Sequence, residues 1–188
     1  MRHIMHEATL LMTRFILVRH GETHWNVQGR VQGGGDLTPR GHAQMAAVAE
    51  RLATEKISAI YASPTPRTQA TASTIGRRLG LPVNTRNELV DLDYGRWSSA
   101  TLERVRAEAP ELVQMWLREP HRIRFPNGES LADLRARVMA TVGEMMARHP
   151  GETVLVVTHD SPIRTVASLA LGLDDSHHQQ WVIDTGSV

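Results

Sequence analysis

Apolar residues along this chain follow two alternating rhythms. Short unbroken runs read as strands: Phe15 to Val18, "ISAIYAS" from Ile57, Pro82 to Thr85, and "TVLVVTH" from Thr153, the most strand-like of the four. Between them the spacing lengthens to that of a helix. Thr38 has the character of an N-cap, with Pro39 at the first helical position and Gly41, Met45, Val48, Ala49 and Leu52 on one face, so a helix to about Thr54 is predicted. Pro66 to Leu79 forms a second helix closed by Gly80. Residues 100–118 read as one helix interrupted at Pro110, and "REPHRIRFPNG" as a connection. Ser130 starts an amphipathic helix with Leu131, Leu134, Val138, Val142 and Met145 on one side, ending near His149, and a helix from Pro162 to Leu171 follows the last strong strand.

Strands without polar interruption need cover on both faces. The alternation therefore predicts an α/β fold in three layers, a mostly parallel central sheet with helices on both faces. One more strand is expected to begin at "VIDTGSV". Ligands of such sheets sit beyond the carboxyl ends of the strands. Two strands end there in histidine: Phe15 to Val18 runs into Arg19-His20-Gly21, and Val154 to Val157 runs into Thr158-His159-Asp160-Ser161. A single histidine at a strand end is most simply a cap. Two of them closing the two most hydrophobic strands point to one site, where Gly21 is expected to let the backbone approach a ligand closely.

Composition narrows the chemistry. The 188 residues, 41% of them hydrophobic, suit one globular unit with a sizeable core. Residues 1–12 are expected to be a flexible extension and 13–188 a single domain. A net charge of +1 gives no global attraction to nucleic acid or to a membrane surface, so a small molecule is the expected partner; a homodimer stays open. Cysteine is absent, which removes disulfides, thiolate nucleophiles and thiolate metal sites. His6 and Glu7 break the apolar residues near the start, leaving no secretory core segment, and a cytoplasmic location is expected. Of 21 cationic residues only Lys56 is lysine, so a lone arginine carries little information. Arg67 gains meaning from its place near the start of a helix in "YASPTPRTQATA", whose N-terminus would face the same sheet edge. Arg19, Arg67 and two histidines converging on one volume suit a phosphate dianion, which guanidinium forks bind in bidentate fashion.

The stretches "LVRHGETHWN", "SPTPRTQATA", "PNGES" and "VVTHDSPIR" occur in this order, and together they resemble the histidine phosphatase superfamily, also called phosphoglycerate mutase-like, from about Thr13 onward. In length and motifs the chain is most similar to the family's small phosphatases, such as alpha-ribazole phosphatase-like proteins. The resemblance implies a metal-independent phosphatase without a cofactor, acting on a small phosphorylated metabolite. It implies that His20 takes the phosphoryl group, that His159 stabilises it in flight, and that Arg19 and Arg67 clamp its equatorial oxygens. Asn26, Gln32 and Gly33 fall where the family lines its phosphate and substrate pocket, with Asp160 and Ser161 adding polar contacts. In the family's acid loop, "LVDLDYG" here, Asp91 stands where a glutamate is usual, making it the implied proton donor; Asp93 and Glu88 are its rivals. Glu129 in "PNGES" is expected either to contact the pocket or to stabilise a helix N-terminus.

Three other functions are expected to compete. A cofactor-dependent mutase would return the phosphoryl to another hydroxyl, but such enzymes carry a longer segment than the about 68 positions between Asp91 and His159. The Asp-for-Glu change raises a non-catalytic phosphate-binding relative. His20 and His24, four apart, raise a zinc site completed by His159 and Asp160, against which Gly21 argues by weakening a helix there.

Overall fold

The structure is a computed structural model that describes residues 12–32 and 34–188. The extension expected over residues 1–12 therefore lies, Met12 apart, outside the described residues.

The elements are β1 (Arg14–Arg19), the single turn α1 (His24–Val27), α2 (Pro39–Leu52), β2 (Ile57–Ala62), α3 (Pro66–Leu79), β3 (Val83–Thr85), α4 (Leu102–Glu108), α5 (Pro110–Arg118), α6 (Leu131–Arg148), β4 (Thr153–Thr158) and α7 (Asp160–Ala170). Four strands form one sheet in the order β1-β4-β2-β3, all parallel. Side chains alternate across it. Ile16, Val18, Ile60, Ala62, Leu155 and Val157 pack with Met45, Leu52, Ala72 and Ile75 of α2 and α3, while Ala59, Tyr61, Val154 and Val156 pack with Met145 of α6 on the other face. Burial on both faces is why the strands read as continuous apolar runs.

Local chemistry sets the helix ends. Thr38 accepts from the amide of Gly41 ahead of Pro39, and Gly80 closes α3 at φ +70°. Ser130 caps α6 through a reciprocal pair with Asp133, which returns a carboxylate to the Ser130 amide. The helix after β4 starts at Asp160, with His159 as its N-cap residue, two residues before the expected Pro162. A proline is tolerated throughout the first turn, where amide groups have no intrahelical partner.

No strand begins at Val182. The final residues instead run beside the end of β1, the amide of Arg19 donating to the carbonyl of Ser187 and the amide of Gly186 to that of His20, both at 3.1 Å. This contact covers the outer side of β1 at its carboxyl end, where Arg19 and His20 lie. Glycine at 21 answers a packing need: a Cβ there would lie 2.7 Å from the carbonyl oxygen of Gly41, so its small size lets α2 close on the turn after β1.

Candidate active site

Arg19 of β1 pairs in register with Thr158 of β4, so the next residues, His20 and His159, leave the sheet side by side. Their rings stand edge to face with centroids 5.3 Å apart, and both are buried. Arg67, in the first turn of α3, reaches between them. Its Nε donates to Nε2 of His20 at 3.1 Å and its Nη2 to Nδ1 of His159 at 3.0 Å.

These contacts fix the tautomers. Nδ1 of His20 lies 2.8 Å from the carbonyl oxygen of Gly21, which can only accept, so Nδ1 carries the hydrogen and Nε2 the lone pair. His159 is the reverse: Nδ1 accepts from Arg67, and Nε2 donates to Oγ of Ser63 at 2.9 Å. Burial, then the Arg67 and Arg19 charges, lower the pKa of His20 to about 3 against the opposing pull of the Gly21 carbonyl. Burial and Arg67 likewise hold His159 well below the ordinary imidazole range. Both rings are neutral at pH 7. Burial also lowers the Arg67 pKa, an effect opposed by the Asp91 carboxylate.

A polar cavity of about 60 Å³ opens in front of His20, lined by Arg19, Arg67, Thr23, Trp25, Asn26, Arg30, Val31, Gln32, Asp91, Tyr94 and Asp160. Arg19 donates from Nη1 to the carbonyl of Ile183, and its Nε is buried with no hydrogen-bond partner among the described residues. Asn26 uses its side-chain oxygen to accept from the amide and hydroxyl of Thr23, leaving its NH2 group for the cavity. Gln32 lines the cavity with both ends of its amide engaged, donating to the carbonyl of Leu92 at 2.6 Å and accepting from Ser98 at 2.9 Å. Asp160 is held by Arg164 one turn along α7, at 2.8 Å.

Asp91 is the acid of the loop that reaches this cavity. Its carboxyl lies among protein atoms, and that burial raises its pKa; Arg67 opposes the rise and Asp160 reinforces it. Asp93, its rival, accepts from the amide of Gly95 at 2.8 Å and is absent from the cavity lining, and Glu88 is exposed.

Glu129, Ser161 and His159, all expected at the site, lie outside the cavity lining, His159 directly behind Arg67. Ser161 is buried behind Tyr94, whose hydroxyl lies 3.4 Å from its Oγ. Glu129 is bound by Arg137 through two parallel bonds, Nε to Oε1 at 2.8 Å and Nη2 to Oε2 at 2.7 Å, and accepts from the amide of Asp93 at 3.1 Å. Burial would raise its pKa, but the Arg137 guanidinium wins and lowers it. Arg137 also donates to the carbonyls of Glu88, Val90 and Asp91, each within 2.8 Å. The "PNGES" stretch therefore supports the acid loop. The two backbones touch at a pair of glycines: a Cβ on Gly95, which has φ +56°, would lie 2.0 Å from the carbonyl oxygen of Pro126, and one on Gly128 would lie 2.3 Å from that of Asp93. Gly33 lies outside the described residues.

The zinc arrangement does not assemble: α1 begins at His24, after His20, and His24 is exposed while His20 is buried. Among the described residues no group of three or more His, Cys, Asp or Glu side chains is placed to hold a metal ion. Residues that the motif reading did not single out include Ser63, Thr23, Arg30 and Arg137. Ser63 was open to discovery from the Ser-Pro turn directly after β2; Arg137 is one arginine of many on a helix.

Two neutral imidazoles joined by a buried guanidinium at the carboxyl edge of a parallel sheet define an enzyme of phosphoryl chemistry. The model of the histidine phosphatase superfamily (branch 1) matches residues 15–188, and the chain belongs to that family. It is 38% identical over 178 residues to phosphoserine phosphatase 1 of Hydrogenobacter thermophilus, covering 94% of this chain and 84% of that one. It is 34% identical over 164 residues to the probable phosphoglycerate mutase GpmB of an Enterobacter species, covering 86% and 76%. The solved structure of Bacillus stearothermophilus YhfR superposes with a TM-score of 0.88 at 29% identity, covering 93% of this chain and 88% of that one. The protein is thus a histidine phosphatase, a phosphoric monoester hydrolase. No helix among the described residues is long and apolar enough to cross a membrane.

Proposed function

We propose that this phosphatase hydrolyses small-molecule phosphomonoesters through a phosphohistidine at Nε2 of His20, with Asp91 as acid and then base and no metal in the reaction. The observation that carries the proposal is the tautomer of His20, a neutral ring whose lone pair is on the atom beside Arg67 and whose proton is tied to the Gly21 carbonyl. Nε2 attacks phosphorus, the bond to the ester oxygen breaks, and the proton of Asp91 goes to the departing alkoxide. Water then attacks the phosphohistidine and gives its proton to the Asp91 carboxylate. The N–P bond breaks and inorganic phosphate leaves.

Charge spreads over three equatorial oxygens during each transfer, and fixed cations aimed at them are the main source of acceleration. Arg19 and Arg67 have that role here, the first with a buried unpartnered Nε and the second at the centre of the site. His159 keeps Arg67 oriented, its Nδ1 accepting from the guanidinium while its Nε2 donates to Ser63. The raised pKa of Asp91 suits a group that must start protonated. A small phosphorylated metabolite as substrate and a cytoplasmic setting belong to the same proposal.

The test is turnover of a panel of phosphate esters with and without chelator, using His20→Ala as control. The expected result is hydrolysis unaffected by chelator and abolished by the substitution. Transfer of the phosphoryl between hydroxyls of a sugar acid would favour a mutase, and turnover that survives His20→Ala would reject His20 as nucleophile.

A further inference from the structure

Every backbone polar atom of His20 and Gly21 is bonded. The amide of His20 donates to the carbonyl of Thr158, and the carbonyl of His20 accepts from the amide of Gly186, both at 3.1 Å. The amide of Gly21 donates to Oγ1 of Thr71 at 3.2 Å, and the Gly21 carbonyl takes the Nδ1 hydrogen of the His20 ring. The first two of these bonds are backbone to backbone and survive any change of side chain. The bond to the Gly21 amide depends on the Thr71 hydroxyl.

Thr71 is fully buried and lies one turn after Arg67 on the same face of α3. That face meets His20 from two directions, with Arg67 at Nε2 of the ring and Thr71 at the amide that follows it. In the proposed reaction Arg67 turns from Nε2 to a phosphoryl oxygen, and the ring is then held by its Nδ1 bond to the Gly21 carbonyl. Once Nε2 has bonded to phosphorus the ring still carries its Nδ1 hydrogen and is a cation, which the same carbonyl stabilises. Glycine has no side chain to resist rotation, so the direction of that carbonyl rests on what holds Gly21 from outside. On one side α2 packs against its Cα; on the other stands the Thr71 hydroxyl. A buried amide that loses its acceptor costs free energy, and the Gly21 backbone would turn to recover one. We infer that Thr71 is a positioning residue for phosphoryl transfer, setting through Gly21 the line along which Nε2 of His20 meets phosphorus. The inference rests on the reading of His20 as nucleophile and adds a residue that does not itself touch the phosphoryl group.

The experiment measures two quantities on Thr71→Val, which keeps the shape and removes the oxygen. One is the single-turnover rate of p-nitrophenolate release from p-nitrophenyl phosphate, which reports attack by the nucleophile. The other is the inhibition constant of inorganic phosphate, which reports the anion site. Misplacing a reacting group by about 1 Å costs up to about 10²-fold, so the release rate should fall by about tenfold or more while the phosphate constant stays within about threefold. Thr71→Ser, which restores the oxygen without the methyl, should bring the rate back to within about threefold of wild type. Thr71→Ala carries the same expectation as valine should the valine chain fail to fold. A smaller fall in rate, a parallel weakening of phosphate binding, or a loss that the serine variant shares would overturn the inference and leave the phosphatase reading standing. Release of p-nitrophenolate that survives His20→Ala would overturn both.

Discussion

Arg67 donates from Nε to Nε2 of His20 at 3.1 Å, so in the free enzyme the atom proposed to attack phosphorus is already the acceptor of a hydrogen bond from the cation proposed to bind the phosphoryl group. Substrate binding has to move that donor from nitrogen to a phosphoryl oxygen. The exchange keeps the guanidinium satisfied before and after, and it bares the lone pair only when a phosphoryl group is present.

The first prediction concerns the resting state of the two rings. His20 should be protonated at Nδ1 alone and His159 at Nε2 alone, because a carbonyl fixes the first and a guanidinium the second. Long-range ¹H–¹⁵N correlation spectra should show these opposite tautomers, with neither ring titrating between pH 5 and 8. A common tautomer, or a mid-range titration of His20, would contradict the geometry.

Acid stability gives the second. His20 and His178 have pKa values lowered to about 3, mainly by burial, and burial also holds His159 well below the ordinary imidazole range. Above pH 6.5 these imidazoles are neutral in both the folded and the unfolded chain and add nothing. As pH falls from 6.5 towards 3, the unfolded chain binds protons that the folded chain refuses, so stability is lost by up to about 1.4 kcal/mol per pH unit for each ring. His178 lies against Trp116, outside the polar cavity, and can be replaced without touching it. Urea unfolding at pH 7 to 4.5 should show His178→Gln losing stability less steeply than wild type. Parallel curves would mean that His178 is not buried neutral.

Much of this architecture was legible because local rules and the fold agree. Thr38-Pro39 starts α2, and the five positions expected on its inner face are the five that are buried. The two histidines could be brought together from sequence because parallel strands share a carboxyl edge. Supports built from distant partners were not legible. Arg137 lies 46 positions from Asp91 in sequence and holds the backbone around it, a relation no periodicity records. The same distance hid the role of Glu129, whose place at the start of α6 pointed equally to a pocket. The last segment was expected to open a strand; it lies along β1 without becoming one, since only its final residues bond to the strand end.

Asp91 supplies the third prediction, joining activity to stability. Asp91→Asn removes the proton donor, so alkyl phosphates should slow by about 10²–10⁴-fold and aryl phosphates with acidic phenols far less. Wild-type turnover of alkyl esters should fall as pH rises through the raised pKa of Asp91. A carboxyl whose folded pKa is raised weakens the fold once ionised, so the same substitution should raise Tm at neutral pH. Equal, small losses on both ester types would place the donor elsewhere.

A fourth prediction follows from the support beneath that loop. Arg137→Met deletes the donors to three loop carbonyls and to Glu129, and should lower stability by about 2–3 kcal/mol, the scale of charge-assisted bonds in a partly buried site. Because Arg137 acts through Asp91, kcat for alkyl esters should drop about tenfold more than kcat for aryl esters. A uniform drop would mark a merely structural role.

The most direct measurement is rapid acid-free quenching of the enzyme during turnover of a ³²P-labelled ester, followed by peptide mapping. The account predicts a base-stable, acid-labile phosphoryl group on the peptide containing His20, formed in the presence of chelator and absent from His20→Ala. A full burst of product with no label on that peptide, or label that requires added metal, would contradict it.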